Sequence, residues 1–157
     1  MALTWKYIVA EPLRTQLLTE YGVPERVIGL GGAEPLDEVF RDHCQPPHRS
    51  TDEQTAEDDF VVGICETNED EVFACRKRAE LVEYVSFDVD RPASIMVIAD
   101  SPQGFLARLF FELVELEVDK QGPDPRQTLG SAADAVGFAH LEATYQYVLA
   151  ERSRGLL

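Results

Sequence analysis

The sequence has few basic residues for its length and no long apolar run. Lys and Arg number 14 against 29 Asp and Glu, which gives a formal net charge of −15 and a pI near 4.4. Nucleic acids and anionic membranes are polyanions that would repel such a chain, so neither is an expected partner. No segment approaches the roughly 20 apolar residues that span a bilayer. A basic protein remains as the kind of partner that this charge favours.

Cysteine is also scarce. Cys44, Cys65 and Cys75 are an odd number, so they cannot all be paired in disulfides within one chain. The opening residues, MALTWKYIVAEPL, lack the basic region and the sustained apolar region of a secretory signal. We therefore expect a cytoplasmic protein whose thiols are reduced.

Recognisable catalytic motifs are missing as well. The chain has no Gly-x-Ser-x-Gly, no His-Glu-x-x-His and no Walker-type loop, and GLGG at 29–32 lacks the downstream spacing of a phosphate-binding loop. A Cys/His nucleophile pair would need a lowered thiol pKa, whereas Cys65 is followed by Glu66, whose charge would raise that pKa. We predict a protein without catalytic residues and without a cofactor.

One metal-dependent alternative stays open. His43, Cys44 and His48 offer nitrogen and sulfur ligands of the kind that zinc prefers, and Cys65 or Cys75 would complete the set. Two prolines restrict the backbone between Cys44 and His48, and the chain has no Cys-x-x-Cys pair. Cys65 and Cys75 also lie in apolar, strand-like sequence, where a free cysteine packs as a small hydrophobe. The main prediction therefore contains no metal, and a small metal-dependent enzyme is the alternative.

The most informative stretch for the fold is 94–118. An apolar run at 95–99 predicts a buried strand. Asp100 or Ser101 followed by Pro102 predicts the start of a helix, because a side-chain oxygen can accept from the free N–H groups there and proline needs no N–H. The apolar face of this helix is expected to consist of Phe105, Leu106, Leu109, Phe110, Leu113, Val114 and Leu116. Its narrow polar stripe consists of Arg108, Glu112, Glu115 and Asp119.

Strand patterning occurs in four consecutive segments joined by short polar turns, which predicts an antiparallel sheet that begins at Phe60. They are residues 60–65, 71–76, 81–88 and 95–99. The first and last are almost wholly apolar, so we expect them to lie centrally or under helices. The middle two carry polar positions and are expected to show one face to water. Residues 4–9 are either a short strand or an extended lead-in.

Helical patterning occurs on both sides of these strands. The predicted helices are 12–22, 34–44 and 102–118, followed by one continuous helix over 132–154 that Ser131 would cap and that runs through Gly137. Residues 48–59 and 119–128 are polar or rich in Gly and Pro, and predict loops. The fold class is therefore α+β, a mostly antiparallel sheet of about four to six strands packed by N-terminal, central and C-terminal helices. A single domain over 1–157 fits this length.

Acidic residues are concentrated around the first predicted strand. Between 51 and 71 there are nine acids and no Lys or Arg. If 60–65 is a strand, these acids form two clusters about 20 Å apart, and each could steer a basic partner. The candidate binding residues are Asp58, Asp59, Glu66, Glu69, Asp70 and Glu71. Two alternative interpretations of these acids stay open. In the first, they form a solvated edge that prevents pairing with another sheet. In the second, they only keep the surface soluble.

Three blocks of the sequence carry a resemblance to a known family. They are PLRTQLLTEYGVP (12–24), DDFVVGICETNEDEVFACRKRAELVEYV (58–85) and IMVIADSPQGFLARLFFEL (95–113). In this order they resemble the SUKH superfamily, in particular its bacterial immunity-protein branches. The likeness is strongest at residues 21–24 and 100–109. The chain departs from the family pattern at CRKRAE (75–80), where a glycine-marked segment is usual.

The resemblance implies a mixed α+β domain without catalytic residues that binds a toxin. Many relatives look like antidotes to secreted or contact-delivered toxins, often nucleases or deaminases that are basic. We therefore expect an immunity protein that neutralises a basic toxin domain. A regulatory or scaffold domain that binds an unrelated intracellular protein is the alternative from a different class. The identity of the partner and the oligomeric state stay open.

Overall fold

The computed structural model describes residues 6–47, 60–68 and 70–155. Among the described residues, two short strands and three helices precede the main run of strands, and three helices follow it. The elements are β1 (Lys6–Ile8), α1 (Leu13–Glu20), α2 (Glu25–Ile28), a 3-10 turn (Gly29–Gly31), α3 (Glu38–His43), β2 (Cys44–Gln45), β3 (Phe60–Thr67), β4 (Glu71–Arg78), β5 (Leu81–Asp88), β6 (Arg91–Ala99), α4 (Pro102–Val118), α5 (Pro125–Val136) and α6 (Leu141–Ser153). This is the predicted α+β class. The loop predicted at 48–59 lies outside the described residues.

The described strands form one mixed sheet in the order β1-β3-β4-β5-β6, with β2 also paired to β3. The antiparallel run from β3 to β6 is confirmed. The sheet does not begin at Phe60, however, because β1 joins β3 in parallel and β2 joins it antiparallel. Both short strands pair with β3 across long sequence separations, which local patterning does not reveal.

The predicted positions of the strands within the sheet are partly wrong. β3 is internal as expected, but β6 stands at the end of the strand order, and its Met96 and Val97 are 57% and 50% exposed. β4 was expected to show one face to water, yet its residues from Val72 to Cys75 are all fully buried. The apolar composition of a strand indicates how far it can be buried. Its position in the sheet depends on pairing with strands that are distant in the sequence.

Two apolar clusters account for the burial on both faces of the sheet. The larger one joins the sheet to the helices, with α4 as its main contributor. The smaller cluster consists of Tyr7, Val61, Val72, Ala74, Val85, Phe87 and Val89. Because β3, β4 and β5 all contribute to both clusters, these three strands are the most enclosed part of the sheet.

The start of α4 is as the sequence predicts. The Ser101 hydroxyl accepts a hydrogen bond from the Gly104 N–H at 3.1 Å, and Pro102 occupies the first helical position. Phe105 is fully buried, and its ring stacks on Tyr84 and meets Phe73 edge-on. None of the described helices has the length and apolar composition needed to cross a bilayer.

The final helix was predicted as one piece and is two. α5 begins at Pro125, where the Asp124 side chain accepts from the Arg126 N–H, and it ends at Gly137. Gly137 has φ of 72°, a left-handed conformation that closes a helix and that glycine adopts without strain. α6 then begins after His140, so the single helix over 132–154 is wrong.

The GLGG segment has a packing role. A Cβ added at Gly31 would lie 1.8 Å from the Ile64 carbonyl oxygen, so only glycine lets the 3-10 turn approach β3. The buried Arg14 side chain fills the same junction and donates to the carbonyl oxygens of Gly63, Ile64 and Ile28.

Candidate functional site

The six acids predicted to bind a partner have different surroundings. Asp58, Asp59 and Glu69 lie outside the described residues. Glu66 is 2% exposed and accepts a hydrogen bond from the Tyr7 hydroxyl at 3.3 Å, so its carboxylate faces the interior. Burial, and then the Glu66 charge, raise the pKa of Tyr7 far above its usual value.

Asp70 and Glu71 lie at the β3–β4 turn. Asp70 has φ of 62°, and its carbonyl oxygen accepts from the Val89 N–H, which ties this turn to the one between β5 and β6. Glu71 accepts a 2.6 Å hydrogen bond from the Ser86 hydroxyl, and Arg108 of α4 lies 3.9 Å from the same carboxylate. The turn therefore holds two acids at the end of the sheet that α4 passes.

A backbone carbonyl of α3 and a side chain of β2 fix the position of this turn. The Asn68 amide donates to the Asp42 carbonyl oxygen, and Gln45 donates to the Asn68 side chain at 2.7 Å. Because Asp42 lies in α3 and Gln45 in β2, two elements distant in sequence are brought to the β3–β4 turn. Sequence reasoning did not find this arrangement, since it depends on the long-range pairing of β2.

A cleft of about 530 Å³ opens between this turn, the end of α3 and the polar stripe of α4. It is lined by His43, Thr67, Asn68, Glu71, Arg108, Leu109, Glu112, Leu113, Glu115, Leu116, Asp119 and Arg152. The whole polar stripe of α4 contributes to it. The sequence analysis identified these residues as a narrow polar stripe, so the signal was present although its role was not assigned.

Ion pairs hold the acids along the cleft. Arg108 pairs with Glu112 at 2.9 Å, and Arg152 of α6 reaches Asp119 at 2.6 Å. The hydrogen bond from Arg152 lowers the pKa of Asp119 below its usual value. These pairs hold the carboxylates of Glu112 and Asp119 in place along the cleft.

Two further depressions adjoin the cleft, and together the three define what we call the acidic face. One shares Glu71 and Arg108 with the cleft, and the other shares His43. The acids of this face are Asp37, Glu38, Asp42, Asp70, Glu71, Asp88, Glu112, Glu115, Glu117 and Asp119. Its bases are Arg108, Lys120 and Arg152.

Charge is unevenly distributed between this face and the rest of the molecule. The described residues hold 23 acidic and 13 basic side chains. Ten acids and three bases line the acidic face, which leaves thirteen acids and ten bases elsewhere. Seven of the ten net negative charges of the described residues therefore come from one face.

The opposite end of the sheet carries two exposed basic residues. Lys77 and Arg78 are exposed at the end of β4 that leads into the β4–β5 turn. Arg76 beside them is buried and pairs with Glu83 at 2.8 Å. Since β4 has eight residues, the two ends of the sheet lie roughly 25 Å apart. The exposed Glu80 lies beside these two bases, so only the end of the sheet that carries the acidic face has a clear excess of one charge.

The predicted metal ligands are described only in part. His43 lines the cleft, whereas His48 lies outside the described residues. Cys44, Cys65 and Cys75 are free and buried. A hydrogen bond with Cys44, together with burial, raises the pKa of Cys65. Within the described ranges, no three His, Cys, Asp or Glu side chains are grouped as metal ligands. The zinc alternative stays a hypothesis that metal analysis of the purified protein would test.

Comparison with known proteins finds no matching family model, no matching curated protein and no matching solved structure. The likeness to the SUKH superfamily rests on the three sequence blocks alone.

Proposed function

We propose that the chain is an immunity protein of the SUKH type, which neutralises a basic toxin domain in the cytoplasm by stoichiometric binding and without catalysis. The observation that carries this proposal is the uneven charge: ten acids and three bases on the acidic face. The partner expected from the sequence is a nuclease or a deaminase. Such an enzyme presents cationic groups to the phosphates of its substrate, and the carboxylates of the acidic face would engage those groups instead.

The shape of the cleft supports binding of a protein. Its walls are charged, while Leu109 and Leu113 of α4 lie at its base and Leu116 is 40% exposed beside them. Protein interfaces combine an apolar centre, which supplies most of the affinity, with a polar rim that steers and orients the partner. A basic protrusion with an apolar tip fits both parts of this surface.

Fixed carboxylates also favour tight binding. Ser86 holds Glu71, Arg108 holds Glu112 and Arg152 holds Asp119. A side chain already held in one conformation loses little entropy when a partner binds, so more of the interaction energy appears as affinity. The carboxylates of the acidic face are therefore preorganised for binding.

The experiment is a kinetic binding measurement against the toxin domain encoded beside the gene for this chain. The test variant neutralises three acids of the acidic face, Glu38→Gln, Asp42→Asn and Asp70→Asn. The control neutralises three exposed acids elsewhere, Glu20→Gln, Glu80→Gln and Asp134→Asn. Both variants lose the same net charge. A difference between their association rates therefore shows that the location of the neutralised acids matters.

We expect the test variant to associate at least about tenfold more slowly at low salt, and the control to change much less. Co-expression should protect cells from the toxin, and the test variant should protect them less well. Failure to bind that toxin, or an equal loss in both variants, would contradict the proposal. A pull-down that recovers an intracellular protein unrelated to toxins would support the regulatory alternative.

A further inference from the structure

The polar stripe of α4 contains three acids, and they differ in their ion pairing. Glu112 pairs with Arg108 at 2.9 Å, and Asp119 pairs with Arg152 at 2.6 Å. Glu115 lies between these two acids, and its carboxylate forms no hydrogen bond or ion pair within the part of the chain that the structure describes. Two acids of the stripe therefore have a guanidinium partner, and the third has none.

The place of Glu115 on the helix makes this unpaired charge unfavourable in the free chain. Glu112 lies three residues before it and Asp119 four residues after it, and side chains at these spacings are neighbours on a helix. A like charge four residues away destabilises a helix. Arg152 is close, but it donates to the Asp119 carboxylate and to the backbone carbonyl oxygen of Glu115. The group that this position lacks is therefore a further cation.

The surroundings of Glu115 fit a cation that carries an apolar stem. Glu115 lines the cleft of about 530 Å³ together with Leu116, whose side chain is 40% exposed. Four acids and two arginines line this cleft, so it keeps a net negative charge when His43 is neutral. The side chains of arginine and lysine combine a chain of methylene groups with a cationic head. Such a side chain would place its stem against Leu116 and its head on Glu115.

A guanidinium suits this cleft better than an ammonium group. The cleft is bounded by α3, α4 and the β3–β4 turn, and a guanidinium is the more weakly hydrated cation, so it loses less when it leaves water. Its planar donors can also form two parallel hydrogen bonds with one carboxylate. The chain's own Arg108 already lies between two carboxylates of the cleft, at 2.9 Å from Glu112 and 3.9 Å from Glu71.

We infer that the cleft receives an arginine side chain of the basic partner, with its guanidinium on the Glu115 carboxylate and its stem against Leu116. The source of this arginine rests on the proposed function, since the inference names the group by which the toxin domain is anchored. The other acids of the acidic face attract the partner during its approach, whereas the arginine in the cleft holds it once bound. These two roles have different kinetic effects.

Glu115→Gln tests this anchoring, and Glu38→Gln is the matched control. Glu38 is an exposed acid of the acidic face outside the cleft, so each variant loses one charge from the same face. We expect Glu115→Gln to raise the dissociation rate of the toxin domain at least about tenfold, and Glu38→Gln to act mainly on association. The thermal midpoint of Glu115→Gln should stay the same or rise, because the like-charge repulsion is removed. A lower midpoint would indicate a structural role for Glu115 and would overturn the inference.

Small probes test the cleft without the toxin domain. Nα-acetyl-arginine amide, titrated into the full chain, should shift the backbone NMR signals of residues 112–116, and these shifts should be lost in Glu115→Gln. The lysine amide should cause smaller shifts. The citrulline amide, which has a neutral urea in place of the guanidinium, should cause none. Equal shifts with all three probes, or equal shifts in Glu115→Gln, would overturn the inference.

The two experiments separate this inference from the proposed function. A toxin domain that binds the unchanged chain and Glu115→Gln with the same dissociation rate would overturn the arginine anchor and leave the immunity role in place. Specific binding of the arginine probe at Glu115, with no binding of the toxin domain, would support the arginine site and contradict the immunity role.

Discussion

The guanidinium of Arg14 donates a hydrogen bond to the carbonyl oxygen of Ile64 at 2.8 Å, across 50 residues of sequence. The same side chain bonds the carbonyl oxygens of Gly63 and Ile28 at 2.7 Å each. It therefore satisfies three backbone acceptors where α1, α2 and β3 meet. This junction anchors β3, and the turn that follows β3 carries Asp70.

Arg14→Met should destabilise the chain by about 3–5 kcal/mol, since three buried carbonyl oxygens would lose a charged donor. Arg26→Met is the control: Arg26 is exposed and makes one long bond of 3.4 Å to the Asp134 carbonyl, so the expected loss is about 0.5 kcal/mol or less. Urea denaturation followed by circular dichroism measures both. Equal losses in the two variants would contradict the role given to Arg14.

Gly31→Ala should cost about 1–3 kcal/mol or prevent folding, because the added methyl group would meet the Ile64 carbonyl oxygen. Gly130→Ala makes the same chemical change within α5, where no atom lies within 4 Å of the new Cβ. It should stabilise the chain by about 0.5–1 kcal/mol, since alanine favours a helix over glycine. Thermal unfolding should show shifts of opposite sign, and shifts of the same sign would disprove this explanation.

Phe105→Ala should cost about 3–5 kcal/mol, the usual range for a buried phenylalanine. Its ring packs between Tyr84 and Phe73, so its loss opens a cavity between α4 and the sheet. Leu116→Ala on the exposed part of the same helix should cost about 0.5 kcal/mol. Denaturant titration of both variants checks this, and a small effect at Phe105 would mean that α4 does not pack as described.

The pKa of Asp119 should rise towards its ordinary value in Arg152→Gln, because the hydrogen bond that lowers it is removed. A carboxyl with a lowered pKa in the folded state stabilises the fold above its unfolded pKa. That contribution is lost as the pH falls through the folded pKa. NMR titration of the Asp119 side chain in both proteins measures the shift. Arg154→Gln, which removes an exposed pair with Glu151, is the control and should leave Asp119 unchanged.

Local signals in the sequence were sufficient for much of the fold. The antiparallel run from β3 to β6 follows from alternating patterns and polar turns, and the start of α4 follows from Ser101 and Pro102. The end of α5 at Gly137 was not predicted, because a glycine inside a helical pattern can either be tolerated within the helix or end it. Its left-handed conformation appears only in the structure.

The site was less accessible to sequence reasoning. Glu66 looked like part of an acidic turn, but β3 continues to Thr67 and Tyr7 of β1 packs beside it, so its carboxylate is buried. Asp42, Asp70 and the polar stripe of α4 lie on one face because β2 pairs with β3 and α4 packs on the sheet. Contacts between distant segments decide this, and one sequence does not display them.

The most direct test of the central claim is backbone hydrogen exchange of the chain, measured alone and bound to the basic toxin domain. The account predicts new protection at 68–71, around Asp42 in α3 and along the cleft side of α4, with little change at the β4–β5 turn. Protection confined to the β4–β5 turn, or no protection with an excess of the toxin domain, would contradict the claim that the acidic face binds a basic protein.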